Sequence, residues 1–201
     1  MPRQNRVQPT GEILAVPERG AFLGNRGILH DDTAHQHGLL THRRWRHKAW
    51  VCCVLEFKNR RRKLMSPNRY TELFFHDEAV ALAAGHRPCG ECRRADYKAF
   101  LAAAGHAGRV AGFDNQLHAA RAIPRSYGQR RHETEAGFLP DGSFVLVETG
   151  PALIWQDALH PFTASGYGTP QTKPAGRVCV LTPEPTLKAL RAGFIPIVRL
   201  P

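Results

Sequence analysis

Residues 74–92, FFHDEAVALAAGHRPCGEC, place a strand end, a short capped helix, a glycine stop and a Cys-x-x-Cys turn within nineteen residues. Leu73, Phe74 and Phe75 read as the end of a strand. Asp77 is placed to accept a hydrogen bond from the free N–H groups of the next turn and so serves as an N-cap. Glu78 to Ala84 consists almost entirely of good helix formers. Gly85 follows where a left-handed residue closes a helix, and Pro88 fixes the backbone just before Cys89. The spacing of Cys89 and Cys92 lets both sulfurs converge on one tetrahedral ion, for which zinc is the usual occupant. A redox dithiol asks instead for a βαβ context with the motif opening a helix. Here the pair lies in a Gly/Pro-containing turn followed by Arg93 and Arg94, which favours the metal.

The run of Glu-Ala, Ala-Leu-Ala-Ala-Gly, Arg-Pro and Cys-x-x-Cys resembles the second half of the zinc-binding domain of Ada-type DNA methylphosphotriester repair proteins. The resemblance covers Phe74 to Cys92, about a tenth of the chain, and is loose or absent elsewhere. It implies a bound Zn²⁺, further ligands upstream and a nucleic-acid partner. In the resembled family two upstream cysteines are spaced Cys-x-x-x-Cys, and one zinc-bound thiolate accepts a methyl group. Here Cys52 and Cys53 are adjacent. Neighbours in a strand point to opposite faces, so one suits the core and the other the metal, and only a bulge would let both ligate. Cys53 is the slightly better ligand, with Cys52, His47, His76 and His86 as alternatives for the fourth position.

Charge is concentrated just before this stretch. The net charge is +11, and residues 42–69 hold ten Lys/Arg against one acid, Glu56. The remaining segments are close to balanced. A focused basic stripe of this kind suits a phosphate backbone, where each neutralised phosphate releases counterion. Arg43, Arg44, Arg46 and Lys48 precede a strand read over Ala49 to Phe57; Lys58, Arg60, Arg61, Arg62 and Lys63 follow it. Tyr70 to Phe75 is read as the next strand, giving a basic β-ribbon with Trp45, Trp50 and Tyr70 available to stack on bases. Arg93 and Arg94 extend the basic set beside the thiols.

At 201 residues with 42% hydrophobic and 22% charged content, the chain has the composition of a globular protein able to bury a core. The five cysteines do not form a disulfide framework, the opening MPRQNRVQPTGEIL is too polar for a secretory signal, and no apolar run is long enough for a membrane helix. A reducing cytoplasm is the expected compartment.

Elsewhere, Gly11 to Val16 reads as a short strand and Arg19 to Leu29 as a tight packed turn, with a phosphate-cradling loop as its functional alternative. His30, Asp31, Asp32, His35 and His37 read as a polar surface loop rather than a metal cluster. Arg93 to Ala104 reads as a helix whose apolar face carries Tyr97, Phe100, Leu101 and Ala104. Phe113 to Ile123 reads as a second helix, and Pro124 to Glu135 as a linker or exposed loop. In the remainder, a hairpin is expected over Ser143 to Glu148 and Ala152 to Gln156, then a loop-rich segment from Asp157 to Pro174. Arg177 to Leu181 follows as a strand, a helix from Thr182 to Ala192, and an edge strand over Phe194 to Val198. Asp157 and His160 read as loop and capping residues.

The expected fold is α+β, in two units: residues 1–135, a basic zinc-supported unit with an N-terminal arm, and residues 136–201, a small β-rich unit. The expected function is nucleic-acid binding, of DNA in the first place, with zinc in a structural role and a link to DNA damage. Two further classes stand beside it. A metal-dependent hydrolase, nuclease or methyl acceptor would need an open metal position, and His86 or Glu91 would supply its base. A protein-interaction module would use zinc as scaffolding only.

Overall fold

The quoted stretch becomes the hinge between two sheets in the computed structural model, which describes residues 1–31, 39–60 and 63–201. Asp32, His35, His37, Arg61 and Arg62 lie outside the described residues. The first half contributes β1 (Arg6–Val7), β2 (Ile13–Leu14), β3 (Phe22–Asn25), β4 (Val51–Val54), β5 (Leu73–Phe75), helix α1 (Glu78–Ala83), β6 (Arg87–Pro88) and helices α2 (Arg94–Ala103) and α3 (Val110–Arg121). A small hairpin of β7 (Ala122–Ile123) and β8 (Gly128–Gln129) leads to β9 (His132–Glu135). The rest is β10 (Ser143–Val147), β11 (Gly150–Trp155), β12 (Ala158–Thr163), β13 (Gly166–Tyr167), β14 (Gln171–Thr172), β15 (Arg177–Val180) and α4 (Glu184–Arg191). The class is α+β.

The first sheet runs β2-β1-β5-β3-β4-β6; the second runs β13-β12-β11-β10-β15-β9, with β14 beside β12. This order overturns the expected basic ribbon: β4 and β5 are not partners, because β3 lies between them, pairing Leu23 with Cys53 on one side and with Phe74 on the other. The Gly-rich segment read as a turn is therefore a central strand. Gly24 explains it: a Cβ there would collide with the ring of Phe75, so glycine alone lets that ring fill the space over the strand.

Helix α1 is buried along its whole length, as a helix apolar on all sides must be. It packs on β3 and β5 of the first sheet and on β10 of the second. Asp77 caps it, accepting from the Val80 N–H at 2.9 Å, and Gly85 closes it at φ +84°. The same capping end gathers in the C-terminal segment. Asp77 accepts from the Tyr167 hydroxyl at 2.7 Å and the Arg199 N–H at 3.1 Å, and Glu78 accepts from the Ile197 N–H at 3.0 Å. Residues 194–198 run as an irregular strap rather than the expected edge strand, with both backbone groups of Ile197 taken by Glu78 at the helix start and the Phe194 N–H by the Ala189 carbonyl.

Two further expectations are corrected. Residues 124–135 are not a linker: they form β8 and β9, and β9 pairs with β15 over four residues. The side-chain amide of Gln129 donates to the carbonyls of Pro9 at 2.8 Å and Ala83 at 3.0 Å, which pins this segment to the core. The segment 157–174 holds three strands rather than loop, turning sharply at Gln156 and Asp157, both with φ near +50° to +58°. The boundary expected between Glu135 and Ala136 falls at the end of β9. One hydrophobic cluster joins Val7, Phe22, Leu73 and Phe75 to Phe144, Leu153 and Phe162; the other joins Leu82, Phe100 and Phe113 to Val145, Ile154 and Leu187. No described helix is long and apolar enough to cross a membrane.

Candidate metal centre and basic surface

Strand alternation sorts the two adjacent cysteines. Cys52 points into the core and is fully buried, while Cys53 points to the other face and is half-buried. β6 runs parallel to β4, with Pro88 opposite Cys52, and the Cys89 N–H donates to the Cys52 carbonyl at 2.9 Å. That pairing fixes where the Cys-x-x-Cys turn begins, and it delivers Cys89 and Cys92 to the face that Cys53 occupies.

The result is a cluster in which the sulfurs of Cys53, Cys89 and Cys92 all lie within 4.8 Å of one another. Thiolates around a tetrahedral zinc sit about 3.8 Å apart, from Zn–S bonds of about 2.3 Å. The three cysteines could therefore hold a metal ion with little movement. A backbone donor supports the turn: the Glu91 N–H reaches Cys89 Sγ at 3.4 Å. Cys89 is pulled down to about 5, first by the hydrogen bond from the Cys53 thiol and further by the N–H groups of Cys92 and Glu91. Cys53 is pushed up by giving that same hydrogen bond and by burial, and Cys92 is pushed up by burial and the charge on Cys89. A bound cation would favour the thiolate form of all three.

Cys52 is not part of the cluster. Burial and the Glu78 carboxylate push its thiol well up, and Arg93 Nη1 lies 3.7 Å from its sulfur. Nor do His47, His76 or His86 join: among the described residues the three cysteines have no fourth His, Cys, Asp or Glu within the same reach. His86 is fully buried beside Phe75 and Trp50 and accepts from Arg26 Nε at 3.3 Å. Glu91 is exposed and held by Arg60 at 2.6 Å.

The structure splits the basic residues into two populations. Arg46, Lys48, Lys58, Arg60, Lys63 and Arg94 are exposed, with Lys48 donating to Asn115 at 2.9 Å and Arg60 paired with Glu91. Arg43 and Arg44 are half-buried, and Arg44 folds back on the Thr41 carbonyl at 2.6 Å. Arg93 is withdrawn from solvent altogether: it is 5% exposed and pairs with Glu78 at 2.6 Å and Asp96 at 2.8 Å. It ties α1 to α2 across the turn that carries the cysteines. Trp50, expected as a stacking platform, is 3% exposed. Trp45 and Tyr70 are half-buried, and Trp45 lies against Trp50 and Tyr127 with ring centroids at 5.4 and 4.7 Å.

Comparison with protein families, curated proteins and solved structures finds no match to this chain. The resemblance of residues 74–92 to the Ada-type zinc domain thus rests on those residues alone.

Two residues that shape this region lay outside the sequence-based set. Arg26 and Arg121 are 1% and 2% exposed, and both stack on Trp50, at 4.1 and 3.7 Å from its ring centre. Arg121 could be placed from its position on a helix facing His118; Arg26, in a segment read as a turn, carried no comparable signal.

Proposed function

We propose that this chain is a cytoplasmic, zinc-supported nucleic-acid-binding protein in which the metal is structural. The observation that carries the reading is the convergence of Cys53, Cys89 and Cys92. An ion held there links β4 to the Cys-x-x-Cys turn, and β4 is flanked on both sides by the basic segments 43–48 and 58–63. Zinc fits the donor set because three thiolates favour a borderline-soft ion. The likeness to the Ada-type domain adds DNA as the first partner to test and DNA damage as the context. Five free cysteines suit a reducing compartment.

Fluorescence anisotropy with duplex DNA, single-stranded DNA and RNA tests this between about 50 and 200 mM salt. Within the candidate basic set, five exposed cations have no carboxylate partner among the described residues: Arg46, Lys48, Lys58, Lys63 and Arg94. One phosphate for each gives a log K against log salt slope of about −4.5 on duplex DNA, at about −0.9 per contact. Affinity that is absent, or indifferent to salt, removes the reading.

A second reading draws on the three-sulfur count. Three protein ligands leave one corner of a tetrahedron for a reactant, as a metal-assisted hydrolase or a methyl acceptor requires. In the latter, a cysteine thiolate sulfur bonds the methyl carbon, the bond from that carbon to its ester oxygen breaks, and the phosphodiester anion leaves. Mass spectrometry after incubation with methylphosphotriester DNA separates the readings: a single methyl added to one of the three cysteines supports the acceptor, and an unmodified protein supports the structural site.

A further inference from the structure

Buried charges in proteins are ordinarily paired, because an uncompensated charge away from water is costly. Arg26 and Arg121 break that rule. Arg26 donates to His86 Nε2 at 3.3 Å and to the carbonyls of Gly11 and Ala84, each at 3.4 Å. Arg121 donates to the carbonyls of Gly85 and Lys48, and its Nε, although buried, has no partner. Among the described residues neither is in an ion pair. The nearest acid in sequence to Arg121, Asp114, is committed to Arg87 at 2.7 Å. Arg44 joins them as a third guanidinium; among the described residues it donates to the backbone carbonyls of Thr41 and Arg43 and is in no ion pair.

These three arginines line a pocket of about 220 Å³, together with Arg131 and the ring of Trp50; Glu12 is the acid among its lining residues. The charges repel one another. Burial first, and then Arg44, pull the Arg26 guanidinium down to about 9. Burial and Arg26 pull Arg121 well down in the same way. A guanidinium has five N–H donors, and the carbonyls occupy only some of them. The remaining donors suit an anion with several oxygens and more than one negative charge. A carboxylate would satisfy one fork; three guanidiniums lining one pocket suit a phosphate group. The pocket's size admits a phosphate with a small substituent, below the roughly 300 Å³ at which sites for larger ligands begin.

We propose that this pocket is an oxyanion site that takes a phosphate group, held by Arg26, Arg44 and Arg121. It is separate from the cysteine cluster and independent of the proposed metal. The phosphate comes from inorganic phosphate, a free phosphate monoester or the terminal phosphate of a nucleic acid.

The test uses the full chain in thermal unfolding and isothermal titration. The probes are inorganic phosphate, adenosine 5′-monophosphate, and an oligonucleotide with or without a 5′-phosphate, against chloride at equal ionic strength. Phosphate is expected to raise the Tm where chloride does not. Tightest binding of the monophosphate marks a free ester as the source, and dependence on the 5′-phosphate marks a nucleic-acid end. Arg44→Gln, away from the deepest burial, is expected to weaken phosphate binding about tenfold, the size of one lost charge-assisted bond. Arg121→Met is expected to abolish the phosphate response while leaving the phosphate-free Tm unchanged or higher, because it relieves repulsion; a purely structural arginine would lower it. A wild-type chain that responds equally to chloride and phosphate overturns the proposal, as does phosphate affinity undiminished in Arg44→Gln or a phosphate response that survives in Arg121→Met. Salt-dependent binding of an oligonucleotide lacking the 5′-phosphate reads the proposed nucleic-acid surface separately, so the two readings fail independently.

Discussion

Asp114→Asn tests whether the buried ion pair behind the cysteine turn positions it. Asp114, on α3, accepts two parallel bonds from Arg87, at 2.7 and 2.8 Å, and the two side chains are only 7% and 6% exposed. Arg87 lies two residues before Cys89 and pairs with Val51 of β4. Neutralising Asp114 leaves that guanidinium with the Pro88 carbonyl at 3.2 Å and the Tyr97 ring at 5.4 Å. It also removes a carboxylate that offsets the unpaired charge of Arg121. Breaking a buried pair by removing one partner costs about 3–5 kcal/mol, and asparagine keeps one acceptor oxygen, so the expected loss is about 3 kcal/mol. At an m value of about 2 kcal/mol/M, the urea midpoint falls by about 1.5 M. Asp96→Asn is the control: its partner Arg93 keeps Glu78, and Asp96 is 47% exposed, so that loss stays below about 1 kcal/mol. Equal midpoints for the two variants would refute the assignment of Arg87–Asp114 as a clamp.

Acid should destabilise the protein through its buried histidines. His86 is held neutral well below its usual range by burial first, then by Arg26 and Arg121. The unfolded chain takes up that proton near pH 6.5, so the contribution is complete above about pH 6.5 and is lost as pH falls below it. His118, pulled down to about 4 by burial and by Arg121, acts in the same direction to about pH 4. Asp77, pushed up by burial, acts oppositely, which is why the comparison is made with His86→Gln: its urea midpoint should decline less steeply than wild type between about pH 6.5 and 5, and an unchanged slope contradicts the reading. Gly24→Ala sets a Cβ against the Phe75 ring and should cost about 1–3 kcal/mol by overpacking; a neutral effect in chemical denaturation would show that the ring has room to move.

Much of the hinge stretch was legible because its signals are local. Asp77, the alanine-rich run and Gly85 specify a capped helix without reference to the rest of the chain, and the alternation of a strand correctly sends Cys52 and Cys53 to opposite faces. The helices over 93–104 and 182–192 and the hairpin over 143–156 followed from periodicity and terminal glycines in the same way. What failed was non-local. Strand β3 hides in a glycine-rich segment because its glycine answers to Phe75, fifty-one residues away. Residues 194–198 look like a strand, yet Glu78 claims both backbone groups of Ile197 and the Phe194 N–H returns to the Ala189 carbonyl. Arg93 reads as a surface cation until Glu78 is found beside it, and Arg26 and Arg121 read as ordinary basic residues until Trp50 brings them together.

The convergence of three sulfurs is tested most directly by the metal content of the purified chain and four single variants. About one equivalent of zinc is expected in the wild type and in Cys52→Ala, whose sulfur faces the core, and none in Cys53→Ser, Cys89→Ser or Cys92→Ser. A metal-free wild type, or zinc that survives Cys53→Ser and leaves with Cys52→Ala, would contradict the account.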